Sequence, residues 1–165
     1  MNLPNLHKSY KVNDNSIIYL LDQQQYLQSI DFKYDIFIVN SIITEDEWSL
    51  IKTVSKNQIV WGGQKYNFLP PSMGWIIWEQ EGGGEMAWTS FQRALRIFTL
   101  KLSNSGFTKP YDLYEWLYRK YCKGNIFVTD ITPYDCLAAQ KTNVNIFGTS
   151  LDISDFIQET NVNLF

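Results

Sequence analysis

Short runs of consecutive apolar residues recur along this chain, and they constrain its fold more than any other feature. The runs are rich in Ile, Val, Phe and Trp, and most lack the in-and-out alternation of a half-exposed strand. Continuous runs of this kind are typical of parallel strands covered on both faces. The predicted strands are Ile17–Leu21, Asp35–Val39, Ile59–Trp61, Trp75–Trp78, Glu85–Trp88, Asn125–Asp130 and Val144–Gly148, with Arg96–Leu102 as a half-exposed strand.

Helix signals stand between several of these runs. A capping-box pattern at Thr44 and Glu47 predicts a helix of about three turns. The segment Tyr111–Cys122 follows a proline and precedes a glycine, which predicts a second helix, and Cys136–Gln140 indicates a third. Strands that alternate with helices predict an α/β fold with a mostly parallel central sheet flanked by helices.

The size and composition of the chain favour one well-packed domain spanning residues 1–165. Hydrophobic residues make up 45% of the chain and aromatic residues 16%, which excludes a disordered class. The formal net charge of -3 gives no general attraction to phosphate, so DNA is possible only through a local basic face. No segment approaches the roughly 18 apolar residues of a membrane span. We therefore expect a cytoplasmic protein with no membrane partner.

Histidine and cysteine are too scarce to build the common catalytic and metal sites. His7 is the only histidine, and it lies in a polar N-terminal stretch. Cys122 and Cys136 lack the spacing of metal ligands, and we expect two reduced thiols. The sequence thus predicts no metal site and no Ser-His-Asp arrangement.

Several blocks of sequence, taken in order, resemble one enzyme family. The blocks are Tyr34–Asn40, Ile59–Tyr66, Leu69–Trp78, Glu85–Phe91, Lys109-Pro110 and Asn145–Gly148. They are similar to the β-class DNA N6-adenine or N4-cytosine methyltransferases, of the type common in phages and prophages. The similarity is strongest over residues 59–91 and extends over about 15–157. It implies a Rossmann-like S-adenosylmethionine-dependent methyltransferase fold, with a target-recognition region that is short or absent.

The catalytic positions implied by this resemblance are altered. The family's Asp-Pro-Pro-Tyr corresponds here to Asn40-Ser41-Ile42-Ile43. Such an enzyme flips a base out of the duplex, stacks it on an aromatic ring and holds its amino hydrogens with acceptors. Asn40 retains an acceptor, but Ile42 is not the rigid second proline and Ile43 offers no aromatic face.

The cofactor positions implied by the resemblance are altered as well. The family's Asp-Pro-Phe-x-Gly-x-Gly loop, whose glycines let the backbone approach S-adenosylmethionine, corresponds to Asp130–Cys136, which contains no glycine. Pro133 removes an N–H donor, and Asp135 adds negative charge where the cofactor's carboxylate is expected. Ser150 stands where the family has an acidic residue for the ribose. The altered cofactor-binding positions are Lys109, Pro110, Asp130, Thr132, Pro133, Asp135 and Ser150.

Three further groups of residues allow a functional and a structural interpretation. Each group is predicted to be structural: tryptophans that pack in the core rather than line a ligand pocket, a glycine turn rather than a phosphate cradle, and a solvated strand face rather than a DNA contact. The groups are, in that order, Trp61, Trp75, Trp78 and Trp88; Gly82-Gly83-Gly84; and Arg93, Arg96 and Lys101.

These departures predict a methyltransferase-like pseudoenzyme that binds no cofactor and acts through protein–protein interaction, as a homodimer or with an active methyltransferase. One alternative is a divergent but active DNA adenine-N6 methyltransferase that uses S-adenosylmethionine. A second alternative is a small acidic modulator of a restriction-modification enzyme. Under each of these three hypotheses, we expect the protein to lie in the cytoplasm of a bacterial or phage-infected host cell. We also expect Ile42, Ile43, Ile131 and Tyr134 to fill the former cofactor cleft, because bulky apolar groups collapse into a vacated site.

Overall fold

The computed structural model describes residues 6–21, 33–80, 83–92, 96–99, 111–149 and 163–164. The strands in these ranges are β1 (Leu6–Asn13), β2 (Ser16–Leu21), β3 (Tyr34–Val39), β4 (Ser55–Trp61), β5 (Trp75–Gln80), β6 (Gly83–Thr89), β7 (Arg96–Thr99), β8 (Asn125–Val128), β9 (Asn145–Gly148) and β10 (Asn163–Leu164). The helices are α1 (Glu45–Val54), α2 (Tyr111–Tyr121) and α3 (Pro133–Thr142), with a single turn of 3₁₀ helix at Gly63–Lys65. No helix in this described part of the chain is long and apolar enough to cross a membrane.

One sheet contains all the described strands, in the order β10-β1-β2-β9-β8-β3-β4-β6-β5-β7. The central strands β2, β9, β8, β3 and β4 are all parallel to one another. Strand β6 runs antiparallel to both β4 and β5, so it is a reversed strand inserted beside the parallel core. The predicted α/β fold with a mostly parallel central sheet is confirmed.

The central strands bury both of their faces, because successive side chains point to opposite sides of a sheet. Ile36 and Ile38 of β3 belong to the core cluster formed with α2 and α3. Phe37 and Val39 belong to the cluster formed with α1. The same alternation holds for β8, β9 and β4, which explains why these strands are continuous apolar runs.

Local signals placed most elements correctly. The capping box that starts α1 is present, with Glu47 N donating to Thr44 Oγ1 (3.2 Å) and Thr44 N donating to Glu47 Oε2 (2.6 Å). Trp61, Trp78 and Trp88 are buried, as predicted for core residues, and Trp75 is half-buried.

Other boundaries differ from the prediction. Strand β4 begins at Ser55 rather than Ile59, since its polar first residues pair with β3 before the apolar run starts. Strand β1, which contains His7, was not predicted, because its polar sequence carries no burial pattern. Gly83 and Gly84 belong to β6 rather than to a turn. Of the predicted strand Arg96–Leu102, residues 100–102 lie outside the described residues, as do Arg93 and Gly82.

The turn after β4 requires glycine at residue 63, which gives the first testable prediction. A Cβ at Gly63 would lie 2.4 Å from Trp88 Cβ and 3.1 Å from Trp88 N, so neither atom could move without displacing β6. Gly63→Ala should lower the free energy of unfolding by about 1–3 kcal/mol through overpacking. Urea denaturation monitored by tryptophan fluorescence measures this loss.

Gly124→Ala is the matched control, because a Cβ there meets only Asp35 Oδ2, at 3.8 Å. It should change the free energy of unfolding by less than about 0.5 kcal/mol. Equal stability of the two variants would contradict the packing described for Gly63.

Candidate functional site

The carboxyl ends of the parallel strands meet at one edge of the sheet, and the altered motif residues lie there. Asn40 follows β3 and Thr129 follows β8, which is the neighbouring strand. Thr149 follows β9 on the other side of β8, and Gly62 follows β4. This edge is where open α/β sheets bind their ligands.

The buried Thr129 joins the ends of β3 and β8. Its Oγ1 accepts hydrogen bonds from Asn40 N (2.8 Å) and Ser41 N (3.2 Å) and lies 3.1 Å from Ser41 Oγ. Its carbonyl oxygen accepts from Asn40 Nδ2 (3.0 Å). Because the amide nitrogen is held by that carbonyl, the orientation of the Asn40 side chain is set.

The same orientation leaves Asn40 Oδ1 buried without a hydrogen-bond partner among the described residues. Asn40 lines a cleft of about 370 Å³ between the ends of β3 and β4 and the start of β6. The other lining residues are Trp61, Gly62, Gln64, Lys65, Gly84, Glu85 and Met86. The cleft thus offers a fixed acceptor, and a buried acceptor without a partner carries an unfavourable free energy that a donor from a ligand would relieve.

Ile42 and Ile43, the next two residues of the altered motif, lie in different environments. Ile42 is 90% exposed, so the prediction that it fills a vacated cleft is wrong. The chain turns outward there before α1 begins, and only Ile43 returns to the interior, in the cluster around α1. Its N–H donates to Tyr66 Oη (3.3 Å). Neither isoleucine presents an aromatic face beside Asn40.

The loop between β8 and α3 has already used its backbone donors. Thr129 N donates to Ile38 O (3.0 Å), Asp130 N to Thr149 Oγ1 (3.2 Å) and Ile131 N to Thr149 O (2.8 Å). Thr132 N donates to Asp135 Oδ2 (2.9 Å), and Pro133 has no N–H. The loop is therefore closed by the protein's own acceptors.

A capping box occupies the start of α3. Thr132 Oγ1 accepts from Asp135 N (3.4 Å), and the Asp135 carboxylate in turn accepts from Thr132 N and Thr132 Oγ1. Asp135 is fully buried and also accepts a hydrogen bond from Tyr118 Oη (2.7 Å). Burial, with the Asp135 charge beside it, raises the pKa of Tyr118 well above its ordinary value. The phenol therefore stays protonated and serves as a donor to Asp135.

Ile131 and Asp130 complete the closure of this loop. Ile131 is buried and packs so closely on Gly148 that a Cβ on the glycine would meet it at 2.8 Å. Asp130 adopts a left-handed conformation with φ 54°, which aspartate tolerates better than most residues do.

S-adenosylmethionine is the cofactor that the family resemblance implies, and the backbone N–H groups from Thr129 to Thr132 are not free to bind it. Such a cofactor needs free N–H groups at the loop and glycines that admit it close to the backbone. Here the donors are paired, an isoleucine packs onto the neighbouring strand, and Asp135 is an internal cap rather than a group facing a ligand.

Several predicted positions cannot be placed in this site. Lys109, Pro110 and Ser150 lie outside the described residues, and for Pro133 and Tyr134 only the backbone of α3 is described. Within the described ranges, no three His, Cys, Asp or Glu side chains come together as metal ligands. Burial raises the pKa of the free Cys122 thiol to about 12, so it is not a thiolate nucleophile near neutral pH.

Sequence reasoning missed the two residues that organise this edge, Thr129 and Thr149. Each is a buried threonine directly after a strand, which is the only signal that could have identified them. It also missed that Thr132 and Asp135, interpreted as altered cofactor residues, form the cap of α3. Their i, i+3 spacing is the same signal that predicted the cap of α1.

Neither a model of a known protein family nor a curated protein sequence matches this chain. Solved structures do match its fold. The M1.HpyAVI–SAM complex has a TM-score of 0.55 at 14% identity, covering 82% of this chain and 91% of that one. M1.HpyAVI alone has a TM-score of 0.56 at 15% identity, covering 87% and 96%. The cytosine-N4-specific PvuII DNA methyltransferase has a TM-score of 0.58 at 10% identity, covering 90% and 86%. The chain therefore has the Rossmann-like fold of S-adenosylmethionine-dependent DNA methyltransferases.

The role of Thr129 gives the second prediction. Thr129→Val keeps the shape of the side chain but leaves the N–H groups of Asn40 and Ser41 without an acceptor. It should lower the free energy of unfolding by about 1–3 kcal/mol. Thr129→Ser keeps the hydroxyl and loses one buried methyl, worth about 0.8 kcal/mol. Chemical denaturation of both variants measures the difference, and a valine variant as stable as wild type would rule out the hydroxyl as a structural link.

Proposed function

We propose that this chain is a methyltransferase-fold protein that transfers no methyl group and acts by contacting another protein. The single observation that carries the proposal is the use of backbone donors between Thr129 and Thr132 by the protein's own acceptors. A cofactor would have to displace those acceptors before it could bind. As long as those acceptors stay in place, the methyl donor does not bind and no methyl group is transferred.

Displacing the acceptors is unfavourable because the groups are buried. Opening the cap of α3 would leave the Asp135 carboxylate without two donors from Thr132. Leaving a buried polar group unsatisfied costs about 1–3 kcal/mol, and more when it is charged. Moving Ile131 off Gly148 would add the loss of a packed apolar contact.

The amine side of the reaction is also weakened. An exocyclic amine would need several acceptors and an aromatic ring to stack on, and Asn40 supplies one acceptor. Ile42 points into solvent, and Ile43 lies in the core cluster around α1. Neither isoleucine therefore supplies an acceptor or an aromatic ring for the base.

A partner protein gives such a domain a function without catalysis. The candidates are a second copy of this chain, an active methyltransferase, and a restriction-modification enzyme that the chain modulates. All three fit a small acidic protein in the cytoplasm of a bacterial or phage-infected cell.

A divergent, active DNA adenine-N6 methyltransferase is the second candidate, and one observation favours it. Asn40 Oδ1 is buried, fixed in orientation and without a partner among the described residues, and Trp61 lines the same cleft. An amino group would satisfy that oxygen. One of the similar structures is a complex with SAM, which is the methyl donor that this alternative requires.

Binding of S-adenosylmethionine and S-adenosylhomocysteine tests the proposal directly. Titration calorimetry on the full chain should give no heat at high micromolar ligand, and a thermal melt in excess ligand should show no shift. A ligand present at 100 times its dissociation constant would stabilise the protein by about 2.7 kcal/mol, a shift that is easily seen.

Methylation of unmodified DNA by the wild type, using a labelled methyl donor, is the companion assay. Incorporation that disappears in Asn40→Ala would overturn the proposal and establish the second candidate. Binding of the cofactor without incorporation would overturn only the inference that the loop is closed.

A further inference from the structure

The edge of the sheet opposite the cleft gathers exposed lysines in a chain that is acidic overall. Strands β3, β4 and β8 all begin at this edge, and α2 ends there, because the helix runs antiparallel to the strands it covers. Lys33, Lys120 and Lys123 are exposed, and they lie respectively before β3, at the end of α2 and before β8. These three residues are called the basic edge below.

Asp35 shows how close the parts of this edge lie to one another. Its carboxylate accepts from Lys56 Nζ (2.8 Å) and from Lys123 N (2.9 Å). Partial burial opposes ionisation, but these donors hold the pKa of Asp35 below its ordinary value. Lys33, two residues earlier, donates its Nζ to Thr53 O at the end of α1. The starts of β3, β4 and β8 thus meet around the Asp35 carboxylate, and Lys33 joins the start of β3 to the end of α1.

The carboxylates described around this edge are already paired. Asp35 pairs with Lys56 (2.8 Å), Glu115 with Arg119 (2.9 Å) and Asp14 with Lys11 (3.0 Å). The basic edge takes part in none of these ion pairs. Among the described residues, this edge therefore carries an excess of positive charge on a chain whose formal net charge is -3.

A half-buried aromatic cluster adjoins the basic edge. Tyr121 stacks on Phe91 at 3.8 Å between ring centroids and meets Trp116 edge-on at 5.7 Å. Lys120 Nζ lies 5.1 Å from the centroid of Trp116. Protein–protein interfaces often combine tryptophan and tyrosine with a charged rim. The aromatic residues supply most of the binding energy, and the charges select the partner.

We infer that the basic edge and its aromatic cluster bind an acidic segment of a partner protein, one that carries Asp or Glu side chains beside an apolar residue. This inference rests on the proposed function, and it names the chemistry of the partner. Nucleic acid fits less well. The net charge of the chain opposes a long polyanion more than a short acidic segment.

A random library of peptides of about twelve residues, panned against the full-length protein, tests the inference. Selected peptides should be enriched in Asp and Glu beside an apolar residue. A synthetic copy of the best peptide is then titrated, by fluorescence anisotropy, against wild type and against K33Q/K120Q/K123Q. The triple variant keeps the long side chains and removes the charges, so its affinity for the peptide should be about tenfold or more below that of wild type. The affinity of wild type for the peptide should weaken with added salt.

Two controls make the result specific. Lys65→Gln removes one positive charge at the opposite edge and should leave peptide affinity unchanged within about twofold, since surface charges beyond the Debye length of about 8 Å are screened. Thermal melts of each variant verify that the fold is intact.

Three results would overturn the inference. The peptides could lack acidic residues, or the best one could bind the triple variant as tightly as wild type. A single-stranded oligonucleotide of about twenty nucleotides could displace the peptide at a lower concentration than the unlabelled peptide itself, which would assign the surface to nucleic acid. If the peptide experiment fails and the protein still does not bind S-adenosylmethionine, the proposal that the chain transfers no methyl group stands. Only the inference of an acidic partner segment is then overturned.

Discussion

The hydroxyl of Thr129 is the point on which the functional edge of this protein depends. It is buried between the ends of two parallel strands, where backbone groups would otherwise lose their partners. By accepting from Asn40 and Ser41, it fixes the first turn after β3. Its own N–H donates to Ile38, so the next loop starts from a fixed position. Thr129 thus fixes both the turn after β3, through its hydroxyl, and the loop after β8, through its backbone N–H.

These two segments differ in what they leave open. In the loop between β8 and α3, Thr149, Asp135 and Ile131 complete the loop with bonds and contacts from the protein itself. After β3, Asn40 keeps one acceptor in a cleft without a partner among the described residues. Because the protein itself supplies the acceptors of the first loop, its closure contributes to stability without a bound ligand.

Residue patterns predicted helices and strands well wherever the interaction that sets them lies between residues close in sequence. The cap of α1 follows from Thr44 and Glu47, which are three residues apart, and the burial of Ile36 to Val39 follows from their position in a continuous run. Ile42 and Ile43 show where this reasoning ends. Both are apolar and adjacent, yet one is exposed and one is buried, since the direction of the turn after β3 is decided by Tyr66 and Thr129, far away in sequence.

The sequence by itself determined the alternation of strands and helices, the doubly covered central sheet and the absence of glycine from Asp130 to Cys136, because each of these is written in neighbouring residues. Only the tertiary structure decided which groups meet at the carboxyl ends of the strands. Asn40 and Thr129 are 89 positions apart, and they meet because parallel strand ends converge once the sheet is assembled. The orientation of Asn40, whose Oδ1 has no hydrogen-bond partner among the described residues, arises from that convergence, which no local pattern encodes.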